Sequence, residues 1–439
     1  MRLILLILLF CNLAALSKAD TYNSNYSELR RPGQAVRNLG MGNTGVALSA
    51  DENALYYNPA GLGAVDSLML NLSFLLEIPA ISELQSAQEK LSDGTSSSID
   101  LIHIRGLGSF SAILPFGKTF TVGGIYSLEY TYDLNASIDT SSTANTILNS
   151  SIGLGVREDG NTRVGLAIAP GTGQWVWGIQ ANTVKRREQP FTTMAFKDIS
   201  KDLTSDLSKL EALLQLASDN ASGKANSTLT NDNITDIKAI NDSITNLSSS
   251  ELTKSAESLI TCFNTIKETN SYSLGFQRRA ASASWLRMTF GVVAHNVGHV
   301  QFGSSDNCPR DEMVEYDIGF SAQPRLGPLR LLVAADIRDF TYANANDAYC
   351  FENKGKPGCF QKRFNWGAEL GFLPIDSGAN FISVRGGVSQ NRLTWGAELN
   401  PFIFFRFLTI EYAHYTESMG QEAGDQPNTR DVIQLRFAF

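Results

Sequence analysis

The side chains best suited to chemistry are few in this sequence and widely separated. The four histidines are His103, His295, His299 and His414, and the cysteines are Cys11, Cys262, Cys308, Cys350 and Cys359. Structural metal sites usually need Cys-x-x-Cys pairs or histidines grouped on one face. No Cys-x-x-Cys pair occurs, and the only close histidine pair falls at a predicted strand end. We therefore predict no metal site and no cofactor.

Catalytic motifs are missing as well. The sequence contains no Gly-x-Ser-x-Gly elbow, no phosphate-binding loop and no His-Glu-x-x-His. Glu369 and Glu398 alternate with Arg363 and Arg392 on one face of two predicted strands, and we expect all four to face a lumen. Serine, histidine and acid groups on such a face could form a hydrolase triad. A ladder of charges that solvates the lumen is the favoured interpretation, so we predict no enzyme.

These charges lie on strands whose polar and apolar side chains alternate. Residues 363–372 read RFNWGAELGF and residues 392–399 read RLTWGAEL, with apolar residues at every second position. Residues 314–322 repeat the pattern, which places polar and apolar side chains on opposite faces of each strand. Repeats of about ten residues separated by turns are typical of transmembrane barrels. A soluble sandwich gives the same alternation, so a soluble periplasmic β protein remains an alternative.

Residues 1–19 have the pattern of a signal peptide. Arg2 precedes an apolar stretch, and Ser17-Lys18-Ala19 supplies the small residues that a signal peptidase needs. Lipidation at Cys11 is the less favoured alternative because Phe10 is bulky. The mature chain then has 34 basic and 44 acidic residues, which argues against nucleic-acid binding. No later apolar stretch reaches the length of a membrane helix, so a membrane location would require a closed barrel.

Connection lengths favour the barrel over the sandwich. In the C-terminal half, long connections at 297–312, 342–361 and 417–429 alternate with short ones. One connection, before 391–400, is tight although it lies on the same side as the long ones. Outer-membrane barrels have long external loops and short periplasmic turns. Fifteen candidate strands emerge, although a single-chain barrel needs an even number. Either 161–184 makes one crossing, giving fourteen strands, or 189–196 adds one, giving sixteen.

The segment 186–270 differs from the rest in composition. Two amphipathic helices are predicted at its ends, and 218–250 is rich in Ser, Thr and Asn. We expect an external helical insertion of low complexity. A two-helix hairpin that buries its own apolar stripes is favoured over a lid or partner-binding surface.

The cysteines of the mature chain all fall in predicted external connections. Disulfides persist in that oxidising setting. Cys350–Cys359 together with Cys262–Cys308 is the most economical pairing, although three connectivities are possible.

The stretch from Asn38 to Gly63, NLGMGNTGVALSADENALYYNPAGLG, is glycine-rich and ends in a turn. Its Asn58-Pro59-Ala60 motif resembles the N-terminal hatch of the FadL family of outer-membrane fatty-acid channels. The longer LYYNPAGL form is similar to a branch of uncharacterised FadL-like proteins from spirochaetes and related bacteria. The resemblance implies fourteen strands, with a hatch at residues 20–65 and a barrel at 66–439. The residues expected to shape or gate the hatch are Asn58, Pro59, Ala60, Gly40, Gly42, Gly45, Gly61 and Gly63.

The resemblance also implies a location and a function. The protein is expected in the bacterial outer membrane, in contact with its lipid, as a passive uptake channel for hydrophobic molecules, long-chain fatty acids above all. The terminal strand 431–439 resembles the signal by which such barrels engage the barrel assembly machinery. The alternative function is a barrel that serves as a secretion-system or surface-anchoring partner without transport.

Overall fold

The structure is a computed structural model. Strands with alternating polar and apolar side chains form most of it. It describes residues 19–20, 35–48, 51–79, 97–138, 151–170, 174–195, 266–283, 285–298, 300–302, 312–326, 329–342, 350, 352, 354–374, 380–401, 407–418 and 427–439. The predicted signal peptide up to residue 18, the helices of the insertion, Cys262 and Cys308 lie outside these residues.

Antiparallel strands account for the greater part of the described chain. They are β1 Met69–Pro79, β2 Ser97–Phe116, β3 Phe120–Ile138, β4 Ser151–Ile168, β5 Trp175–Ala195, β6 Lys267–Ala283, β7 Leu286–Val297, β8 Glu315–Leu326, β9 Leu329–Ile337, β10 Phe364–Pro374, β11 Asn380–Ser389, β12 Arg392–Leu399, β13 Leu408–Ser418 and β14 Pro427–Ala438. A two-residue strand, Ala19–Asp20, pairs with Met194 and Thr193 near the end of β5.

The fourteen strands β1 to β14 close into a barrel. Each strand pairs with the next one along the chain, and β14 pairs with β1 from Arg430↔Pro79 to Ala438↔Asn71. Closure gives each of these strands two neighbours, so the ring has no open edge. The predicted all-β barrel of fourteen strands is confirmed.

One detail of the strand prediction is wrong. The predicted strands 149–157 and 161–169 are a single strand, β4, while 175–184 belongs to β5 and 189–195 continues it. An Asp-Gly step such as Asp159-Gly160 often marks a turn. Here the strand continues because Asp159 is buried and its carboxylate accepts hydrogen bonds from Arg157 and Arg186.

The two faces of the wall differ as the alternation predicts. On β13, Thr409, Glu411 and Ala413 are buried, while Ile410 is exposed on the opposite face. Buried polar side chains thus face the lumen and exposed apolar ones face outward. Glu369 and Glu398 are buried on the polar face of their strands.

Connections differ between the two ends of the barrel. One end has short connections, including 117–119, 284–285 and 327–328; the other has 80–96, 196–266 and 338–363. The tight turn on the second side is Gln390-Asn391, where both residues have positive φ, 52° and 63°, typical of a type I′ hairpin. On this side β2 to β6 rise highest, with 17 to 21 residues each, whereas β12 has 8.

The segment before β1, residues 35–65, lies inside the barrel, and we call its described residues the N-terminal segment. It contains the short helices α1 Val36–Gly40 and α2 Ala54–Tyr57, followed by a 3₁₀ helix at Pro59–Ala64. It contacts walls on different sides of the ring, with Gly40 against Gly396 of β12 and Leu62 beside Gly123 of β3. Among the described residues, no helix is both long and apolar enough to cross a membrane.

The connection between β9 and β10 carries a disulfide and a helix. Cys350 is bonded to Cys359, which lies in α3 Pro357–Arg363. The insertion is shorter at both ends than the predicted 186–270, because β5 runs to Ala195 and β6 starts at Lys267. Arg186 explains part of this extension, since its buried guanidinium pairs with Asp159 across the sheet.

Candidate functional site

The candidate site is the contact between the N-terminal segment and the barrel wall. Its apolar part lies along β2 to β5, where Leu55 and Leu62 pack with Ile113, Ile125 and Val176. A smaller apolar cluster on the other side of the lumen includes Val36 and Leu39. A further cluster joins Met41 of the segment to Leu332 and Ala334 of β9, so apolar contacts hold the segment on several sides of the lumen.

Asn58, Pro59 and Ala60 form the joint between the two helical parts of the segment. Asn58 is the N-cap of the 3₁₀ helix: its Oδ1 accepts a hydrogen bond from the Ala60 amide at 3.1 Å. Pro59 occupies the first helical position, where its missing N–H costs nothing. The side-chain nitrogen of Asn58, Nδ2, donates a hydrogen bond to the Val46 carbonyl at 2.9 Å. It also donates longer hydrogen bonds to carbonyls of β6 and β7. One side chain thus joins both arms of the segment to the wall.

At many positions the wall meets this segment with the main chain of glycine residues. Lumen-facing glycines lie against the segment on many strands: Gly123, Gly165, Gly178, Gly275, Gly291, Gly319, Gly367, Gly387 and Gly396. A Cβ at Gly275 would overlap Oδ1 of Asn58 and lie 2.9 Å from Pro59 Cδ. At Gly178, a Cβ would overlap the amide nitrogen of Ala60. Close approach requires glycine at these positions.

Buried ion pairs add polar attachments. Arg37 donates two hydrogen bonds of 2.9 Å to the two carboxylate oxygens of Glu369 on β10. Glu369 also accepts from Arg385, whose guanidinium contacts Glu398 and Glu411 as well. Such bidentate, charge-assisted hydrogen bonds are stronger than neutral ones and fix geometry. The predicted lumenal carboxylates therefore belong to a network that holds the segment.

A second ion pair joins the segment to β14. Glu52 lies 3.3 Å from Arg436 and accepts a 2.8 Å hydrogen bond from Asn71. Burial raises the pKa of the Glu52 carboxyl, although the Arg436 guanidinium acts in the opposite direction. Burial likewise raises the pKa of Tyr56 to about 12. In both cases the cause is loss of contact with water, as expected inside the lumen.

Wall side chains also bind the main chain of the segment. Arg279 donates to the carbonyls of Gly63 and Ala60, at 2.8 and 3.3 Å. Arg338 donates to the Asn43 carbonyl at 3.0 Å, and Asp336 accepts hydrogen bonds from the amides of Gly45 and Val46. Short helices and turns leave many main-chain groups without internal partners, and here the wall supplies them.

The predicted hatch glycines all lie within the segment. Gly42 has a φ of +68°, which favours glycine, and it lies against main chain of β10 and β11. A Cβ at Gly45 would overlap the Tyr57 ring, whereas one at Gly63 would lie 2.7 Å from Val176. Gly61 is buried, and its amide donates to the Asn58 carbonyl. Their role in gating stays a prediction.

The other predicted charges have separate surroundings. Arg363 is fully buried at the end of α3, 3.6 Å from Asp339 and stacked on Tyr342. Arg392 is half-buried at the start of β12, on the lumenal side of the alternation.

Sequence reasoning missed Arg37, Arg385, Arg436 and Asp336. Arg385, Arg436 and Asp336 lie on strands with alternating patterns, so their lumenal orientation was accessible from the sequence. Within the described ranges, no three His, Cys, Asp or Glu side chains are grouped closely enough to hold a metal ion. The arrangement holds the N-terminal segment inside the lumen through apolar, main-chain and ionic contacts.

No protein-family model matches the sequence, and no curated protein matches it. Solved structures with a similar fold include the toluene transporter TbuX of Ralstonia pickettii, 11% identical, with a TM-score of 0.43 over 92% of this chain and 97% of that chain. The toluene transporter TodX of Pseudomonas putida is 10% identical, with a TM-score of 0.41 over 91% of this chain and 96% of that chain. A FadL homologue of Pseudomonas aeruginosa is 9% identical, with a TM-score of 0.41 over 92% of this chain and 97% of that chain.

Proposed function

We propose that this protein is a bacterial outer-membrane channel for passive uptake of hydrophobic small molecules, with long-chain fatty acids as the leading substrate class. One observation carries the proposal: a closed fourteen-stranded barrel whose lumen is filled by a short, separately attached N-terminal segment. An apolar outward face with a closed ring is what a spanning β structure needs in lipid. The FadL resemblance of Asn58-Pro59-Ala60 supports the fatty-acid class.

In this proposal the N-terminal segment is the hatch. A barrel of this size without a plug would contain water, and a hydrophobic molecule gains nothing from passing through water. Movement of the hatch away from β2 to β5 would uncover Ile113, Ile125 and Val176, which the segment now covers. Apolar surface transferred from water is stabilised by about 25 cal/mol per Å². A hydrophobic ligand would therefore replace the hatch on this part of the wall.

The test is ligand uptake by the full-length protein in liposomes. The probes are oleic acid, toluene and glucose, compared between wild type and the double variant Asn58→Ala/Pro59→Ala. Asn270→Ala is the matched control, because Asn270 is exposed on the outward face of β6, where it accepts a hydrogen bond from Thr183. We expect wild type and control to take up oleic acid, and the double variant to differ in rate.

Binding and fractionation decide between the remaining possibilities. If the wild type neither binds nor transports oleic acid or toluene, transport is rejected in favour of the protein-partner alternative. Recovery in the outer-membrane fraction and heat-modifiable migration on gels are expected for the barrel. A protein found only in the soluble periplasmic fraction would contradict both barrel functions.

A further inference from the structure

The outward face of the barrel carries an apolar groove across β4 to β8. Its volume is about 510 Å³, within the range of small-ligand pockets. Trp177 and Phe276 border it on one side, and Ile179 and Leu274 on the other. Its floor is the main chain of Gly178 and Gly275, which pair directly with each other. Gly178 and Gly275 turn toward the lumen, so the walls of the groove are the outward side chains on either side of them along the two strands.

A cation lies at one end of the groove. Arg278 is exposed and stacks on the ring of Trp175, with 4.7 Å between the guanidinium carbon and the ring centroid. Trp175 is the first residue of β5, so this pair lies at the end of the barrel with short connections. Tryptophan and arginine at such a position mark the boundary between lipid tails and headgroups.

We propose that the groove binds an acyl chain of an anionic phospholipid whose phosphate is held by Arg278. The inference goes beyond the proposed uptake, because it concerns the outer surface, but it rests on the same membrane location. The groove alone would select weakly, since lipid tails are as apolar as its walls and only packing is gained. Arg278 supplies the selection, because guanidinium groups bind phosphate through paired, charge-assisted hydrogen bonds.

Charge complementarity supports an anionic lipid over a neutral one. The outward residues in register with Trp175 and Trp177 on β6 to β8 are Arg278, Phe276, Phe290, Val292, Ile318 and Phe320. No carboxylate occurs among these described positions, so none of them competes with a phosphate for Arg278.

Tryptophan fluorescence offers a direct test on the intact protein. The chain has five tryptophans, and a variant that keeps only Trp177, with the other four changed to Phe, reports on the groove. It is reconstituted in vesicles that contain phosphatidylglycerol and phosphatidylcholine in equal amounts, with bromine on one lipid or on the other. We expect phosphatidylglycerol to occupy the site about fivefold more strongly, the ratio that corresponds to the ~1 kcal/mol contributed by one basic residue near an anionic surface.

Three matched variants separate this site from a general lipid effect. Arg278→Gln should bring the ratio of the two lipids to about one. Ala294→Phe, which fills the groove from its outward-facing border, should reduce quenching of Trp177 by both lipids. A variant that keeps only Trp395, on β12, should show no preference for either lipid.

Several outcomes would overturn the proposal. One is equal quenching by both lipids in the variant that keeps only Trp177 and retains Arg278. The others are a preference for phosphatidylglycerol that persists in Arg278→Gln, or the same preference at Trp395. Brominated oleic acid that quenches Trp177 regardless of Arg278 would assign the groove to a free fatty acid instead. Quenching of Trp395 by either lipid reports membrane insertion by itself, so failure of the lipid site remains distinguishable from failure of the membrane location.

Discussion

At the scale of single residues, the attachment of the N-terminal segment depends on a few buried charges. Arg37 and Glu369 are the clearest example, since the Glu369 side chain is 2% exposed and both of its oxygens accept from Arg37. Removing one member of a buried pair leaves the other without full compensation, which costs more than the pair itself contributes. These residues should therefore control how often the segment leaves the wall.

Arg37→Met is expected to loosen the segment without unfolding the barrel. Hydrogen bonds to charged groups contribute about 1.5–3 kcal/mol, so hydrogen exchange in residues 36–48 should accelerate roughly 10- to 100-fold. Mass spectrometry of deuterium uptake in detergent measures this. Lys185→Met is the control, because Lys185 and Glu268 form an exposed pair 3.3 Å apart, and such pairs contribute little. Unchanged exchange in Arg37→Met would contradict the role of this ion pair.

The sequence predicts one half of this contact and not the other. Alternation along β10 places Glu369 in the lumen, because side chains two residues apart share a face. Its partner Arg37 is separated from it by 332 positions and lies in an irregular segment without a periodic pattern. Only the folded barrel brings the two together. The same reasoning applies to Arg436 and Glu52.

At the scale of elements, glycine residues in the strands leave room for the main chain of the N-terminal segment. Gly178 and Gly275 lie opposite each other on β5 and β6, and Asn58 to Ala60 rest directly on them. Strand interiors normally disfavour glycine, because it loses more conformational freedom and packs no side chain. Glycine here follows from the close approach of a second main chain.

Gly275→Ala should displace Asn58 from the wall. The added Cβ would overlap Asn58 Oδ1, so the hydrogen bonds of Asn58 to Val46, β6 and β7 should weaken together. Overpacking of this kind costs typically 1–3 kcal/mol. Hydrogen exchange of the Val46 and Ala60 regions is the measurement. Gly108→Ala is the matched control, since a Cβ at Gly108 meets nothing within 4 Å; equal effects of both changes would argue against the packing role.

The strand prediction is wrong where the local sequence resembles that of a turn. Arg157 to Asn161 contains charged residues and an Asp-Gly step, which separates two predicted strands, yet β4 passes straight through it. The paired arginines Arg157 and Arg186 stabilise the Asp159 carboxylate inside the lumen. Such compensation comes from a neighbouring strand, so a window of local sequence does not contain it.

At the scale of the whole molecule, closure of the barrel and occupation of its lumen depend on different parts of the chain. Closure follows from pairing of β14 with β1, whereas the lumen is filled by a segment that contributes no strand to the ring. Alternation and connection lengths indicated a barrel, because they recur along much of the chain, whereas the number fourteen came from the FadL resemblance. The path of the segment was not predictable beyond its location, since glycine-rich sequence allows many main-chain conformations.

Deletion of residues 36–64 should convert the closed barrel into an ion-conducting pore. The ring does not use these residues, and a barrel of this size without a plug should contain water. Single-channel recording in planar bilayers is the measurement, with heat-modifiable migration as the check that the ring still forms. A folded but non-conducting variant would show that other lumenal residues close the pore; Val300 and Phe302, which are buried beside Val184, are the first to examine.

The uneven height of the wall has a consequence for whatever meets the cell from outside. Strands β2 to β6 have 17 to 21 residues each, about twice the 9 to 11 that cross a bilayer. On that side the proposed outer-membrane protein would project ordered sheet above the lipid, while the side built by β12 would not. An antibody or phage fibre would then meet a rigid, sheet-like epitope on one flank. Its recognition would depend on the intact barrel and be lost on heating.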